Sequence, residues 1–120
     1  MVDFGFEVSK ELQEKQLQLL EKLKKGGKIK VGVNETTKMV ERGTAKLVII
    51  AKDVQPLELV MHLPLICREK NIPYSFVQAK KELGERAGLS VGTSAVAIVD
   101  EGEAKKELED IVKKVKELAK

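Results

Sequence analysis

The central stretch of the chain, residues 28–51, reads KIKVGVNETTKMVERGTAKLVIIA and decides the fold class. Apolar and polar residues alternate over Lys28–Val33, which is typical of a strand. Asn34 suits the N-cap of a helix over Glu35–Arg42, because its side-chain oxygen can accept a bond from a free N–H of the first turn. The continuous apolar run Leu47–Ala51 is typical of a strand that is covered on both faces. The stretch therefore predicts a strand, a helix and a second strand.

Helix and strand patterns alternate along the rest of the chain as well. Ser9 can cap a helix that runs to about Lys25. Because helices and apolar strands alternate, we expect crossover connections and helices on both faces of a sheet. The prediction is a single α/β domain over residues 1–120, a three-layer α/β/α sandwich with an about four-stranded mixed sheet and about five helices. After the central stretch, the predicted elements are a helix from Pro56 to Lys70 with a kink or a broken ladder at Pro64, a strand over Tyr74–Val77, a helix over Lys80–Ala87, a strand over Ser94–Val99 and a helix over about Glu103–Ala119.

The composition fits one domain with one apolar core. The 120 residues are 42% apolar and 34% charged, with 22 Lys and Arg against 19 Asp and Glu. No apolar run approaches the about 18 residues that a membrane span needs. The single cysteine excludes an internal disulfide and a thiolate-rich zinc site, so we expect a reduced, cytoplasmic protein. The positive excess is local, with six basic and two acidic residues in Lys28–Lys52. An anionic partner would require such an excess, although short segments also differ this much by chance.

A catalytic constellation is hard to assemble from these residues. His62 lies in the middle of a predicted helix, and Ser90 and Ser94 lack the context of a nucleophile elbow. The glycines between residues 84 and 92 match neither a dinucleotide fingerprint nor a P-loop. We therefore expect no cofactor and no metal. Two alternatives stay open: a small α/β ligand-binding or enzymatic domain that uses an acid in a cleft, and a protein–protein adaptor that works through its helices.

The start of the second predicted helix carries an unusual set of polar side chains. Glu35, Lys38 and Arg42 fall on one face of this helix, and Asn34 lies at its tip. The free N–H groups of the helix start add a partial positive charge that favours a phosphate. A carboxylate can accept hydrogen bonds from N1–H and N2–H₂ of guanine, and a lysine can donate to O6 and N7. Such base edges are accessible where RNA pairing is non-standard. The alternative is an ordinary solvated helix whose charged residues are surface neighbours.

A second candidate is the loop at residues 88–92, with the sequence Gly-Leu-Ser-Val-Gly. Leu89 and Val91 are apolar, and apolar residues on a glycine-flanked loop can cover an unstacked base. In the alternative interpretation both residues tuck under the edge of the sheet. The sequence leaves both interpretations open.

Three longer strings carry a resemblance to a known family: GVNETTKMVERG at residues 32–43, KLVIIAKDVQPLELVMHLPLICREKNIPY at residues 46–74 and AKKELGERAGLSVGTSAVAIVDEG at residues 79–102. The combination of Asn-Glu-x-Thr-Lys, His-Leu-Pro-Leu and Asn-Ile-Pro-Tyr resembles the L7Ae family of archaeal ribosomal proteins. That family includes a eukaryotic small nuclear ribonucleoprotein protein and nucleolar relatives. The resemblance covers nearly the whole chain and is weakest before Lys28. It implies an α/β/α sandwich that binds kink-turns and kink-loops, which are sharp RNA bends built on tandem sheared G·A pairs beside a bulge.

The resemblance also implies a role for individual residues. The helix start would contact the G·A pairs, and the loop at residues 88–92 would lie against the bulged nucleotides. Two lysines would lie on the rim, and a leucine of the third helix would supply an apolar contact. The expected RNA-binding residues are Asn34, Glu35, Thr37 and Lys38 with Arg42 near the backbone, Lys52 and Lys80 on the rim, Leu59 from the third helix, and Leu89, Ser90 and Val91 from the loop.

The function implied by the resemblance is non-enzymatic RNA binding. In archaea the family serves the large ribosomal subunit, box C/D and box H/ACA guide particles and ribonuclease P. The implied partners are these RNAs, a Nop-domain scaffold protein and, through it, fibrillarin, to which the methyltransferase chemistry would belong. Two positions depart from the pattern: Val31 stands where many relatives carry a lysine, and Gln55 stands where an acidic residue is common.

Overall fold

The structure is a computed structural model that describes residues 8–54 and 58–118, without the side chains of Lys25, Glu58 and Leu59. The expected first helical turn at Pro56 lies outside these residues. The helix that contains Pro64 continues through it as one helix, and one backbone hydrogen bond is missing there because proline has no N–H. The described residues form five helices and four strands in the predicted order: α1 (Lys10–Gly26), β1 (Lys28–Val31), α2 (Val33–Glu41), β2 (Leu47–Ala51), α3 (Glu58–Lys70), β3 (Tyr74–Val77), α4 (Lys80–Arg86), β4 (Ala95–Asp100) and α5 (Lys105–Leu118).

The four strands form one mixed sheet in the order β1-β4-β2-β3. β4 runs antiparallel to both of its neighbours, whereas β2 and β3 are parallel and are joined by the crossover helix α3. α2 packs against α3, while α1 packs against α4 and α5, so the helices form two groups. The predicted three-layer α/β/α sandwich with a mixed sheet is confirmed.

The core is centred on β2. Each residue of Leu47–Ala51 has 0% of its surface exposed, as expected for a strand with helices on both faces. The amphipathic helices supply the rest of the core, among them Leu19, Leu20 and Leu23 of α1, Met39 and Val40 of α2, and Leu108, Ile111 and Val115 of α5. Of the helices in the described ranges, none is both long and apolar enough to cross a membrane.

Two buried glutamines join α1 to the edge strand β3. Gln16 donates from Nε2 to the carbonyl oxygen of Phe76 at 3.2 Å, and its Oε1 accepts a bond from the hydroxyl of Ser75. Gln13 accepts at Oε1 from the backbone N–H of Gln78 at 3.0 Å. Buried polar groups need such partners, and these bonds fix α1 in register along β3.

The start of α2 differs from the sequence prediction. β1 ends at Val31, and α2 begins at Val33 with Gly32, not Asn34, as its N-cap. Gly32 has a φ of 93°, a conformation that glycine adopts readily because it has no Cβ. The chain therefore turns into the helix earlier than predicted, and Asn34 lies inside the first turn.

Candidate nucleic-acid interface

The turn between β1 and α2 is tied to the first residue of β4. Gly32 donates its N–H to the carbonyl oxygen of Ala95 at 2.8 Å, and the N–H of Thr36 returns to the Gly32 carbonyl at 3.0 Å. At the end of β2, Ala51 donates its N–H to the carbonyl oxygen of Ser94 at 2.9 Å. The start of α2, the turn after β2 and the loop before β4 therefore meet at one edge of the sheet.

Glu35 and Lys38 lie side by side on the exposed face of α2. The Nζ atom of Lys38 is 3.6 Å from Oε1 of Glu35, and the two side chains are 57% and 46% exposed. Asn34 and Arg42 are exposed as well. This is the surface pair that the solvated-helix alternative also predicts. Exposed i,i+3 or i,i+4 ion pairs stabilise a helix by only about 0.3–0.5 kcal/mol. Glu35 and Lys38 can therefore separate and contact a partner at small cost.

Thr37 lies half-buried between α2 and α3, where a histidine contacts it. The Thr37 Oγ1 donates to the carbonyl oxygen of Val33 at 2.7 Å, and it lies 2.8 Å from Nε2 of His62. Since the hydroxyl has one hydrogen and gives it to Val33, His62 must donate from Nε2. His62 was not predicted as part of the site, because helical spacing does not show which residue of another helix it faces.

The two lysines expected on the rim are placed differently. Asp53 accepts at Oδ1 from the backbone N–H of Lys80 at 2.8 Å, so the turn after β2 caps the start of α4. The side chain of Lys80 is exposed. Lys52 is half-buried, with its Nζ 5.6 Å from the centroid of the Phe76 ring, within the range of a cation–π contact. The ammonium of Lys80 is thus exposed to solvent, whereas that of Lys52 lies over the Phe76 ring.

The loop before β4 presents apolar surface to solvent. Val91 is 67% exposed, Ser90 is exposed, and Leu89 is half-buried. The alternative in which both apolar residues tuck under the sheet therefore does not hold for Val91. Leu89 shares its surface between the protein and the solvent.

Three of the residues that the sequence singled out add little to this geometry. Leu59 lies in the first turn of α3, and its side chain is outside the described part of the chain, as is Gln55. Val31 is half-buried at the end of β1, directly before the turn at Gly32.

Away from this edge, the described residues offer little chemistry. Cys67 is buried, and burial raises the pKa of its thiol to about 12, so the thiol stays protonated at neutral pH. The groove between α1 and α5 is crossed by the ion pair of Lys22 and Glu107, with a distance of 2.9 Å between Nζ and Oε1. Within residues 8–54 and 58–118, no three His, Cys, Asp or Glu side chains are grouped as a metal site would require.

The fold and this edge define a class of protein: a small α/β/α domain that exposes a polar helix start beside an apolar loop. The model of the "Ribosomal protein L7Ae/L30e/S12e/Gadd45 family" matches residues 14–108, and the chain belongs to this family. The matched range contains every residue of the predicted site.

A solved structure gives a more particular comparison. The chain is similar to the Giardia lamblia 15.5kD RNA binding protein, with a TM-score of 0.90 and 36% sequence identity. The alignment covers 98% of this chain and 99% of that chain, so the two proteins share the whole fold.

Proposed function

We propose that this chain is a non-enzymatic RNA-binding protein that recognises kink-turn and kink-loop motifs. The observation that carries the proposal is the exposed pair of Glu35 and Lys38, 3.6 Å apart at the start of α2. The family membership and the similarity to an RNA binding protein from Giardia lamblia support it.

In this proposal the α2 pair contacts guanines of the tandem G·A pairs. The carboxylate of Glu35 accepts from N1–H and N2–H₂, and the ammonium of Lys38 donates to O6 or N7 of a guanine. Asn34 has an amide that can donate to one base and accept from another. The free N–H groups at the start of the nine-residue helix α2 favour a nearby phosphate.

The apolar loop covers the nucleotides beside the G·A pairs. Val91 is 67% exposed, so it has apolar area available to a splayed base. In the same proposal the exposed cations Lys80 and Arg42 contact phosphates of the bent backbone. Because the protein binds the bent RNA better than the extended one, it shifts the RNA population toward the bend.

The wider role follows the family resemblance. We propose archaeal ribonucleoprotein particles in the cytoplasm as the setting: the large ribosomal subunit, box C/D and H/ACA guide particles and ribonuclease P, which acts in tRNA processing. The proposed protein partner in a guide particle is a Nop-domain scaffold, through which fibrillarin is recruited. No step of catalysis is assigned to this chain.

The test is a gel-shift titration of a kink-turn RNA beside a regular duplex of equal length and charge. We expect a far lower Kd for the kink-turn. Glu35→Ala and Lys38→Ala should each weaken that binding and leave the weak duplex binding unchanged. Glu11 and Lys15 on α1 provide the matched control, because they form a similar exposed pair with 3.9 Å between Nζ and Oε1. Alanine at either α1 position should leave the Kd unchanged, and equal affinity of the parent for both RNAs would refute the proposal.

A further inference from the structure

The loop that carries Leu89 and Val91 lies directly on α4. The backbone N–H of Leu89 donates to the carbonyl oxygen of Gly84 at 2.9 Å. At the other end of the loop, the N–H of Thr93 donates to the carbonyl oxygen of Lys80 at 3.1 Å. Both ends of the loop are thus hydrogen-bonded to backbone carbonyls of the same short helix.

Gly84 is the point of closest approach between α4 and this loop. A Cβ atom at Gly84 would lie 2.1 Å from the carbonyl oxygen of Val91 and 2.9 Å from the Cα of Gly92. Both are backbone atoms, so no flexible side chain can move aside. Ordinary contact begins at 3.4 Å, which means that the Val91 carbonyl would have to retreat by about 1.3 Å. Glycine is a poor helix former, and the close approach explains its presence inside α4.

The loop is also coupled to the start of α2. It leads directly into Ser94 and Ala95, whose carbonyl oxygens accept the N–H groups of Ala51 and Gly32 at 2.9 and 2.8 Å. Because the loop packs on Gly84, it is held at a fixed distance from the residues at the start of α2. The α2 residues can contact the G·A pairs while the loop contacts the bulged nucleotides only if this distance matches the distance between those two parts of the RNA.

We infer that Gly84 is a positioning residue for RNA binding. Because it has no side chain, the loop can pack close to α4, and this places Leu89 and Val91 where they can contact the bulged nucleotides. This inference rests on the proposed function. Gly84 itself is buried, so it offers no surface for a direct RNA contact. It acts through the backbone of Val91, whose side chain is 67% exposed and contributes little to the core.

The variant Gly84→Ala should bind a kink-turn about tenfold more weakly than the parent, as should the loop variant Leu89→Ser with Val91→Ser. The two losses should not multiply, because both variants remove the same contact. Gly84→Ala combined with the loop variant should therefore bind about as well as the loop variant alone. On an RNA whose bulge is deleted, Gly84→Ala should bind like the parent. If Gly84 only supports the fold, Gly84→Ala should lower the affinity for both RNAs, and its loss should add to that of the loop variant. Either result would overturn the inference.

Two further glycines complete the test. A Cβ at Gly92 would lie 3.2 Å from the Lys80 carbonyl oxygen, so Gly92→Ala moves the loop by a smaller distance and should weaken kink-turn binding about twofold. A Cβ at Gly26, at the end of α1, meets nothing within 4 Å, so Gly26→Ala should bind like the parent. If Gly84→Ala does not fold, Gly92→Ala decides, and if neither folds, these contacts serve folding and the inference is wrong. If the parent prefers the kink-turn while both folded variants bind like it, the inference alone fails. If the parent shows no such preference, the proposed function fails first.

Discussion

Replacing Glu35 by alanine isolates the carboxylate that the proposal assigns to guanine. In the free protein the Glu35 side chain is 46% exposed, and its Oε1 lies 3.6 Å from Nζ of Lys38. An exposed pair of this kind stabilises a helix by about 0.3–0.5 kcal/mol. The free energy of unfolding of Glu35→Ala should therefore fall by no more than about 0.5 kcal/mol, which a urea titration can measure.

The loss in binding should be much larger than the loss in stability. A bidentate contact to a base edge contributes about 1–3 kcal/mol. Since 1.4 kcal/mol corresponds to one decade, the Kd should rise by about 5- to 150-fold. The parent must break the ion pair between Glu35 and Lys38 to bind RNA, which costs it a few tenths of a kcal/mol. The variant does not have this cost, so its loss in binding free energy should lie below the upper end of this range.

A base analogue shows whether the loss comes from guanine. Inosine lacks the N2 amino group, so the parent should bind a kink-turn with inosine in the G·A pairs more weakly than the unmodified RNA. Glu35→Ala should be insensitive to the same replacement, because its side chain has no acceptor for that amino group. If the variant loses as much as the parent on inosine, or if it binds the unmodified kink-turn like the parent, Glu35 does not contact the guanine edge.

Four other measurements probe the site and its support. The slope of log K against log salt should be shallow compared with that of extended duplex binders, because few basic residues of this small surface can reach phosphates. His62→Ala removes the donor to Thr37 and should lower the free energy of unfolding by about 0.5–1.5 kcal/mol, whereas His62→Gln, which can present an N–H, should retain most of it. Gln16→Ala leaves buried partners of both its amide atoms unpaired and should cost about 1–3 kcal/mol for each in a urea titration. Cys67, with a pKa of about 12, should resist alkylation at pH 8 in the folded protein and react when urea unfolds the chain.

The elements of the fold could be predicted from the sequence because their patterns are long and regular. The unbroken apolar run of β2 is buried as predicted, and the predicted last helix forms and buries Leu108, Ile111 and Val115 at helical spacing. The sequence also placed Glu35, Lys38 and Arg42 on one face of the second helix. The exposed pair on α2 follows from that periodicity.

What the sequence could not supply are contacts between distant segments. Asn34 looked like the N-cap because its side chain suits that role, yet the left-handed φ of Gly32 starts the helix earlier. The contact of His62 with Thr37 depends on how α3 lies against α2, which no local pattern encodes. In the same way, the spacing of Gly84 and Gly92 has no local meaning until the loop folds back on α4.

The glutamines of α1 have a consequence for the protein at high concentration. β3 is an edge strand, and the outward N–H and C=O groups of an edge strand are a template on which a second chain can add a strand. Here the carbonyl oxygen of Phe76 accepts a hydrogen bond from Gln16, and the N–H of Gln78 donates one to Gln13. A second chain that adds a strand to β3 must therefore first displace α1. Growth of the sheet at the β3 edge therefore requires partial unfolding of the first helix. Substitutions that loosen α1 should promote aggregation of this protein before they unfold its core.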